Sequence, residues 1–382
     1  MKRSNLFRIL YFLIYATGAS FFPYINLYYR QVGMSGTQIG ILASMAPLVM
    51  LFTQPLWGMI SDVTEPKKIM LILLGMGMLV PLGYLRFSGF WPFLFLGFAF
   101  FFFRSPLPAI TDSLVLDYIE SKGGSYGNLR LWGAVGWSSL SLIIGRIIQS
   151  AGLRSIFYAT CLGTAIAFTI VSQTKYQRPL SRREKRTDRF FRGLGQLLKN
   201  RKIVIFLILV FLLHMATVSI WSFLSIYLDI IHTPRTLMGM AFMIEGLSEI
   251  PLYLLAGKIS RRWGLKRVLV VSFFLFSLRM SLYSFIRKPL LAIAVQGLHG
   301  PSFALFLVGS VEYVNRQTPR DLRTTGQSLL WAVFFGLASI VGNNLAGMIF
   351  DRTGIFRLYL FSGAVGLLAT LLASLLIPSG GD

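Results

Sequence analysis

Seven ionisable side chains, Arg104, Asp112, Arg130, Glu245, Glu249, Arg279 and His299, are set inside long apolar stretches of this 382-residue sequence. Charge in such surroundings is costly: insertion scales put Asp, Lys or Arg at the centre of a membrane helix at about 2.5–3.5 kcal/mol each. Three of the seven are cationic, three are anionic and one titrates near neutrality, so their types describe a paired network around a polar cavity. Asp112 and Arg130 are eighteen residues apart. A carboxylate accepts hydroxyl hydrogen bonds and a guanidinium fork donates several. Together they suit a polyol, Arg130 alone suits an organic anion, and a structural ion pair uses the same residue types. Trp137 follows Arg130 by seven residues, two turns along one helical face, where an indole stacks on a sugar or aromatic ring or simply packs. Arg104 is a further cation that would favour an acid over a neutral sugar. Glu245 and Glu249 are four apart on one helical face, where neighbouring like charges oppose joint ionisation. One of them then holds a proton near neutral pH, as a proton carrier must, and Arg279 compensates the carboxylate after release.

The elements that position these groups follow from composition. The chain is 55% hydrophobic and 13% charged, against roughly a quarter charged in a soluble domain. Apolar runs predict twelve membrane helices over 7–29, 38–60, 67–86, 91–115, 128–149, 154–172, 203–228, 237–257, 267–286, 289–313, 325–349 and 355–377. Helices are expected because these runs lack the alternation of a barrel strand and a bilayer offers backbone groups no water. The first run, preceded by Lys2, Arg3 and Arg8 and followed by no small-residue cleavage site, reads as a retained anchor. The single cysteine, Cys161, and three histidines argue against disulfide and zinc chemistry. A formal charge of +23 would suit nucleic acid, but the Lys and Arg sit between apolar runs, which points to membrane topology and not to nucleic-acid binding. With the N-terminus inside, 25 Lys and Arg fall in inside segments and 9 outside, so both termini are expected in the cytoplasm. Residues 174–202 carry 11 of them close to the middle of the chain. They read as a basic cytoplasmic linker, or as a contact with anionic lipid. It would separate an N-terminal six-helix half, 1–173, from a C-terminal one, 203–382.

The halves repeat. Gly58-Met-Ile-Ser-Asp62, with Lys67 and Lys68 after it, matches Gly257-Lys-Ile-Ser-Arg261, with Lys266 and Arg267, at a spacing of 199. Asp117-Tyr and Glu312-Tyr precede Asn-Leu-Arg130 and Asp-Leu-Arg323. Gly145 to Gly152 corresponds to Gly347 to Gly354. Duplicated halves of this kind describe alternating exposure of a site between them. Asp117 and Glu312, near helix ends, read as gate partners for loop cations or as plain surface salt bridges.

The two glycine-loop segments resemble the signature of the major facilitator superfamily, over nearly the whole chain. Within it, Gln54-Pro-Leu-Trp-Gly-Met-Ile-Ser-Asp62, Tyr126-Gly-Asn-Leu-Arg-Leu-Trp-Gly-Ala-Val-Gly-Trp137, Ser277-Leu-Arg279 and Gln296-Gly-Leu-His299 are similar to the lactose permease and phenylpropionate permease branches of proton symporters. The resemblance implies an all-α membrane fold of two pseudo-symmetric six-helix halves. It places Asp112 and Arg130 where lactose permease binds sugar, and favours Glu249 over Glu245 as the proton carrier. It also has departures. Ser302 stands where the branch has a glutamate three residues after the histidine, and Arg261 replaces the acidic residue of the second glycine loop. The coupling carboxylate has then moved to the eighth helix, or protons are not coupled, and His299 is a carrier or a packing residue.

These readings predict a transporter that imports a small organic solute, whether sugar, nucleoside or aromatic acid, by proton symport. It is expected to work as a monomer in a plasma membrane, by default the bacterial inner membrane, among lipids and without a cofactor. An exporter, antiporter or facilitator of the same fold is the alternative, and a non-transporting sensor a further one. The fifth span lacks the Gly-Pro pair of drug exporters, and no Walker A, Gly-x-Ser-x-Gly or His-Glu-x-x-His sequence marks an enzyme.

Overall fold

A computed structural model of the chain describes residues 3–123, 125–173 and 194–378. Residues 174–193 of the expected linker therefore lie outside the described residues, as do the side chains of Gly58, Asp62 and Gly257. Twelve long helices carry the fold, and no strand occurs among the described residues. They are α1 (Arg3–Gln31), α2 (Gly36–Val63), α3 (Pro66–Arg86), α4 (Phe90–Lys122), α5 (Tyr126–Ala151) and α6 (Ser155–Ser172). The second six are α7 (Arg201–Ile230), α8 (Arg235–Trp263), α9 (Leu265–Phe285), α10 (Pro289–Gln317), α11 (Arg323–Thr353) and α12 (Ile355–Leu376). Among the described residues, eleven contain a stretch long and apolar enough to cross a membrane, in α2 over Gly36–Thr53. The exception is α8, whose sequence includes Glu245, Glu249 and Lys258.

Local chemistry sets the ends. Ser35 accepts from Gln38 N while the Gln38 side chain accepts from Ser35 N, a reciprocal cap that starts α2. Asn200 accepts from the backbone N–H groups of Lys202 and Ile203 and starts α7. Gly152 and Gly354, the last residues of the third repeated segment, end α5 and α11 with φ of 80° and 82°, a conformation that costs glycine little. The glycine-loop segments begin inside α2 and α8, which run to Val63 and Trp263, beyond the expected limits of 60 and 257. Hydropathy marks only the apolar part of a helix, whereas backbone hydrogen bonding continues past it.

Four helices are interrupted where continuous spans are expected. α4 breaks at Ser105, before Pro106, which has no N–H to give. α7 breaks at Val218, α10 contains a 3₁₀ turn at Gln296–Leu298, and α11 a π turn at Ala332–Ala338. Breaks of this kind free backbone groups and redirect side chains near the helix centres.

Packing differs between the two ends of the bundle. At the linker end, where the chain leaves α6 and enters α7, each half has its own core: Phe7, Leu73 and Val115 in one, Phe206, Phe306 and Phe334 in the other. At the far end one cluster runs through both halves, from Phe21, Tyr84 and Phe157 to Phe223, Tyr227 and Tyr359. Among the described residues, the hydrogen bonds and ion pairs that join the halves all belong to this far side. Asn26 donates to the Ser222 carbonyl at 3.0 Å, Arg235 N to Gln149 at 2.7 Å, and Asn344 to Ser44 Oγ at 2.9 Å. Asp229 holds Arg235 at 2.6 Å and Arg30, from the other half, at 3.8 Å.

Two helix crossings bring backbones together there. A Cβ at Gly347 of α11 would overlap the Gly36 carbonyl of α2, and a Cβ at Gly145 of α5 would stand 2.9 Å from Gly239 Cα of α8. Asp351 completes the first crossing: it accepts from Gly36 N at 2.6 Å, Thr37 N at 2.7 Å and Thr37 Oγ1 at 2.7 Å. With Ser35 serving Gln38 N, the first three N–H groups of α2 are all satisfied, two of them by the opposite half.

Candidate functional site

The seven ionisable residues settle into one cluster per half. In the first half Asp112, on the second segment of α4, accepts the Tyr11 hydroxyl at 2.5 Å and the Tyr126 hydroxyl at 3.0 Å, both on Oδ1. No ion pair joins Asp112 to Arg130 among the described residues. The Arg130 guanidinium instead lies 4.1 Å from the centre of the Tyr15 ring and 5.7 Å from that of Tyr11, a cation–π seat. Tyr11 and Tyr15 are four apart and share one face of α1, so a single helix supplies both supports. Gly133, one turn beyond Arg130, leaves the space: a Cβ there would come within 2.7 Å of Arg130 Nη1 and 2.8 Å of the Tyr15 ring.

Arg104 is 7% exposed and faces α1, where it donates to the Ile14 carbonyl and to Thr17 Oγ1 at 3.4 Å. It ties the break in α4 to the first helix. Trp137 lies where the halves meet, since a Cβ at Gly246 of α8 would reach its Cδ1 at 3.1 Å. That glycine follows Glu245, so the indole adjoins the second cluster.

The second cluster centres on His299, fully buried on α10 just after the 3₁₀ turn. Its Nδ1 is 2.9 Å from Arg279 Nη1, and its Nε2 is 2.8 Å from Glu249 Oε1 and 3.8 Å from Glu245 Oε1. A guanidinium only donates, so Nδ1 accepts and carries no proton; Nε2–H then donates to the carboxylate. Arg279 also donates to Gln296 Oε1, and Arg279, Gln296 and His299 are each 0% exposed. Phe303 stacks on the imidazole with centroids 5.4 Å apart and Trp221 meets it edge-on at 5.8 Å. α8 and α10 touch here: a Cβ at Gly300 would overlap the Ser248 carbonyl, and Gly300 N donates to Ser248 Oγ at 2.9 Å.

Toward the linker end, Glu312 accepts from Ser260 Oγ at 2.7 Å and from Arg316. It thereby links α10 to the second glycine segment and borders a cavity of about 460 Å³ with Arg316 and Arg323. Arg261 is exposed, Lys67 is half-buried, and Asp117 lies on α4 near the end of that helix.

Several contributors were not expected. Tyr11, Tyr15, Tyr126, Gly133, Gln296 and Asp351 each complete a contact to an expected residue or join the halves. Gln296 and Asp351 lie inside sequence segments that repeat or resemble, yet neither is costly enough in sequence to stand out. Tyr11 and Tyr15 show only as a pair of polar-tipped rings four apart.

Comparison with known proteins agrees with this architecture. Residues 6–361 match the MFS_1 like family. The chain is 28% identical over 359 residues to the uncharacterized transporter YwbF of Bacillus subtilis, covering 93% of this chain and 88% of that one. It is 27% identical over 375 residues to a maltose permease of Geobacillus stearothermophilus, covering 97% and 94%. The crystal structure of the nucleoside transporter NupG superposes with a TM-score of 0.87 at 16% identity, over the full length of both chains. The family match runs from α1 into the start of α12 and takes in both clusters, and the chain belongs to the MFS_1 like family, as a transporter of the major facilitator superfamily.

Proposed function

We propose that the chain imports a small organic solute, a sugar, nucleoside or aromatic acid, in symport with a proton. The observation that supports this most directly is His299, set between Arg279 and the Glu245/Glu249 pair. Glu249 Oε1 lies 2.8 Å and Glu245 Oε1 3.8 Å from the same ring nitrogen, two like charges that a shared proton would relieve. Losing that proton adds a negative charge beside Arg279, which alters the pull between α8, α9 and α10. Coupling follows if solute binds the protonated form better. Maltose and nucleosides are what the named relatives carry by their descriptions, and the aromatic acid is kept by Trp137 and the two α1 tyrosines, which offer ring faces beside Arg130.

The count of Lys and Arg supports a cytoplasmic linker end; the reading adds a bacterial inner membrane as the default setting, with the chain working as a monomer among lipids. The halves hold together at the far end and keep separate cores at the linker end, so the conformation reads as inward-facing. Asp112, Arg130 and Trp137 then receive solute, Arg104 fixes the wall behind them, and Glu312 with Ser260, like Asp117 and Asp62 in the first half, belongs to the cytoplasmic gate.

The test is solute-triggered proton entry into liposomes containing the purified chain, with Glu249→Gln alongside. A signal that disappears in the variant supports symport. Solute entry without proton movement makes the protein a facilitator or couples it to another ion, and proton movement opposite to the solute makes it an antiporter.

A further inference from the structure

We infer that Trp221 of α7 is a solute contact: its open part takes the ring of a cyclic solute, so that one indole from each half, Trp221 and Trp137, holds the solute beside Glu245 and His299. This rests on the reading of a small organic solute carried between the halves. It adds the contact made by the second half and the feature of the solute that this contact selects. Trp221 is 41% exposed, and the neighbours of α7 show where the exposed part points. Ser219, Phe223 and Tyr227 are four apart and share one face. That face is covered: Ser219 meets Ser362 of α12 at 3.1 Å, Phe223 packs on Phe350 of α11 at 5.5 Å, and Tyr227 packs on Tyr283 of α9 at 5.1 Å. Trp221 is two residues from both Ser219 and Phe223, about 200° round the helix, and so lies on the opposite face. The first half borders that face, since the carbonyl of the next residue, Ser222, accepts from Asn26 of α1.

The indole is seated on α10. Its centroid is 5.8 Å from that of His299 and 6.1 Å from that of Phe303, with the planes 72° and 64° apart. Both contacts come from one side, because Phe303 and His299 are stacked on each other, and the rest of the indole stays open. From the first half, Trp137 adjoins Gly246, the residue after Glu245. Glu245 Oε1 in turn lies 3.8 Å from Nε2 of the imidazole that Trp221 touches. The two indoles therefore flank one group of side chains from different halves. An indole stacks on a ring, and an open-chain solute offers it no matching face. A ring seated on Trp221 also bears on His299, whose Nε2 is 2.8 Å from Glu249 Oε1, so the contact that selects the solute adjoins the carboxylates of α8.

The experiment measures exchange of labelled for unlabelled solute, without a pH gradient, in liposomes containing the full chain, with protein-free liposomes as the baseline. The probes are maltose, uridine and 3-phenylpropionate, with mannitol and hexanoate as open-chain counterparts. The expected result is exchange of at least one ring solute above baseline and of neither open-chain one. Trp221→Leu should raise the KM of that solute about tenfold with the maximal rate nearly kept, and Trp221→Phe should hold KM within about threefold. The solute should also change the tryptophan fluorescence of the wild type more than that of Trp221→Phe. If Trp221→Leu does not elute as the wild type does on size exclusion, this fluorescence difference decides, and an equal signal in the two proteins overturns the inference. An unchanged KM in Trp221→Leu, with only the rate and the melting temperature lowered, assigns the indole to packing and overturns it. Exchange of open-chain solutes alone overturns the inference and leaves solute transport standing, and a panel in which nothing exchanges overturns both. Exchange that depends on Trp221 but moves no proton when a pH gradient is applied removes symport and leaves the inference standing.

Discussion

His299 stands directly between a guanidinium and a carboxylate, with Arg279 Nη1 2.9 Å from one ring nitrogen and Glu249 Oε1 2.8 Å from the other. Three helices, α8, α9 and α10, meet through this one ring. In the proposed symport the carboxylates, and not the ring, take the extra proton. Replacing it with alanine strips Arg279, 0% exposed, of one acceptor, at a cost of about 1–3 kcal/mol. His299→Gln keeps an acceptor for Arg279 and a donor for Glu249, so His299→Ala should lower the melting temperature in detergent well below His299→Gln. If His299 were the carrier, the glutamine variant would lose pH-driven uptake as fully as the alanine variant; the expected outcome is that it retains a large part of it.

Glu249→Gln mimics a carrier that never releases its proton. Its second half is permanently neutral, so solute binding persists while the empty, deprotonated return is blocked. Net uptake driven by a pH gradient should fall at least about tenfold, whereas exchange of labelled for unlabelled solute across the membrane continues. A loss of both in equal measure would assign Glu249 to solute binding instead.

Gly133→Ala tests the seat of Arg130. The added methyl would lie 2.7 Å from Nη1 and 2.8 Å from the Tyr15 ring, so the guanidinium must leave the ring face. The expected effect is a rise in KM of about tenfold with little change in stability. An unchanged KM would remove the Tyr15–Arg130 stack from the binding site.

Asp351→Ala tests the far-side closure. It deletes three acceptor contacts from α11 to the start of α2 and leaves two N–H groups of α2 to water, worth about 1 kcal/mol. In a Cys161→Ser background, a cysteine at Ser222, beside the Asn26 contact, should react faster with an aqueous maleimide once Asp351 is gone. Gly347→Ala, whose methyl overlaps Gly36, should give the same acceleration. Unaltered labelling in both would mean that these contacts do not control opening on that side.

Twelve spans and their repeat were legible because burying charge in a bilayer is expensive and apolar length is conspicuous. The same cost flagged Glu245, Glu249, Arg279 and His299, which do come together. Partner choice was less legible. Asp112 meets Tyr11 and Tyr126, not Arg130, because a phenolic hydroxyl is inexpensive to bury and leaves no mark in hydropathy. Arg104 turns to the backbone of α1, and a carbonyl acceptor has no sequence signature at all. The helix breaks at Ser105 and Gln296–Leu298 escaped for a related reason: apolar composition runs through them unchanged.

Those two breaks have one more consequence. Asp117-Tyr and Glu312-Tyr are 195 residues apart, and the same interval takes Arg104 to His299. Arg104 comes just before the break at Ser105 and His299 just after the turn at Gln296–Leu298, so positions matched by the repeat carry a guanidinium in the first half and an imidazole in the second. The guanidinium is tied to a backbone carbonyl of α1, whereas the imidazole faces two carboxylates of α8. The likeness of the two halves therefore stops short of their side chains: one position is a fixed tie between two helices in the first half and a link in a chain of charged groups in the second.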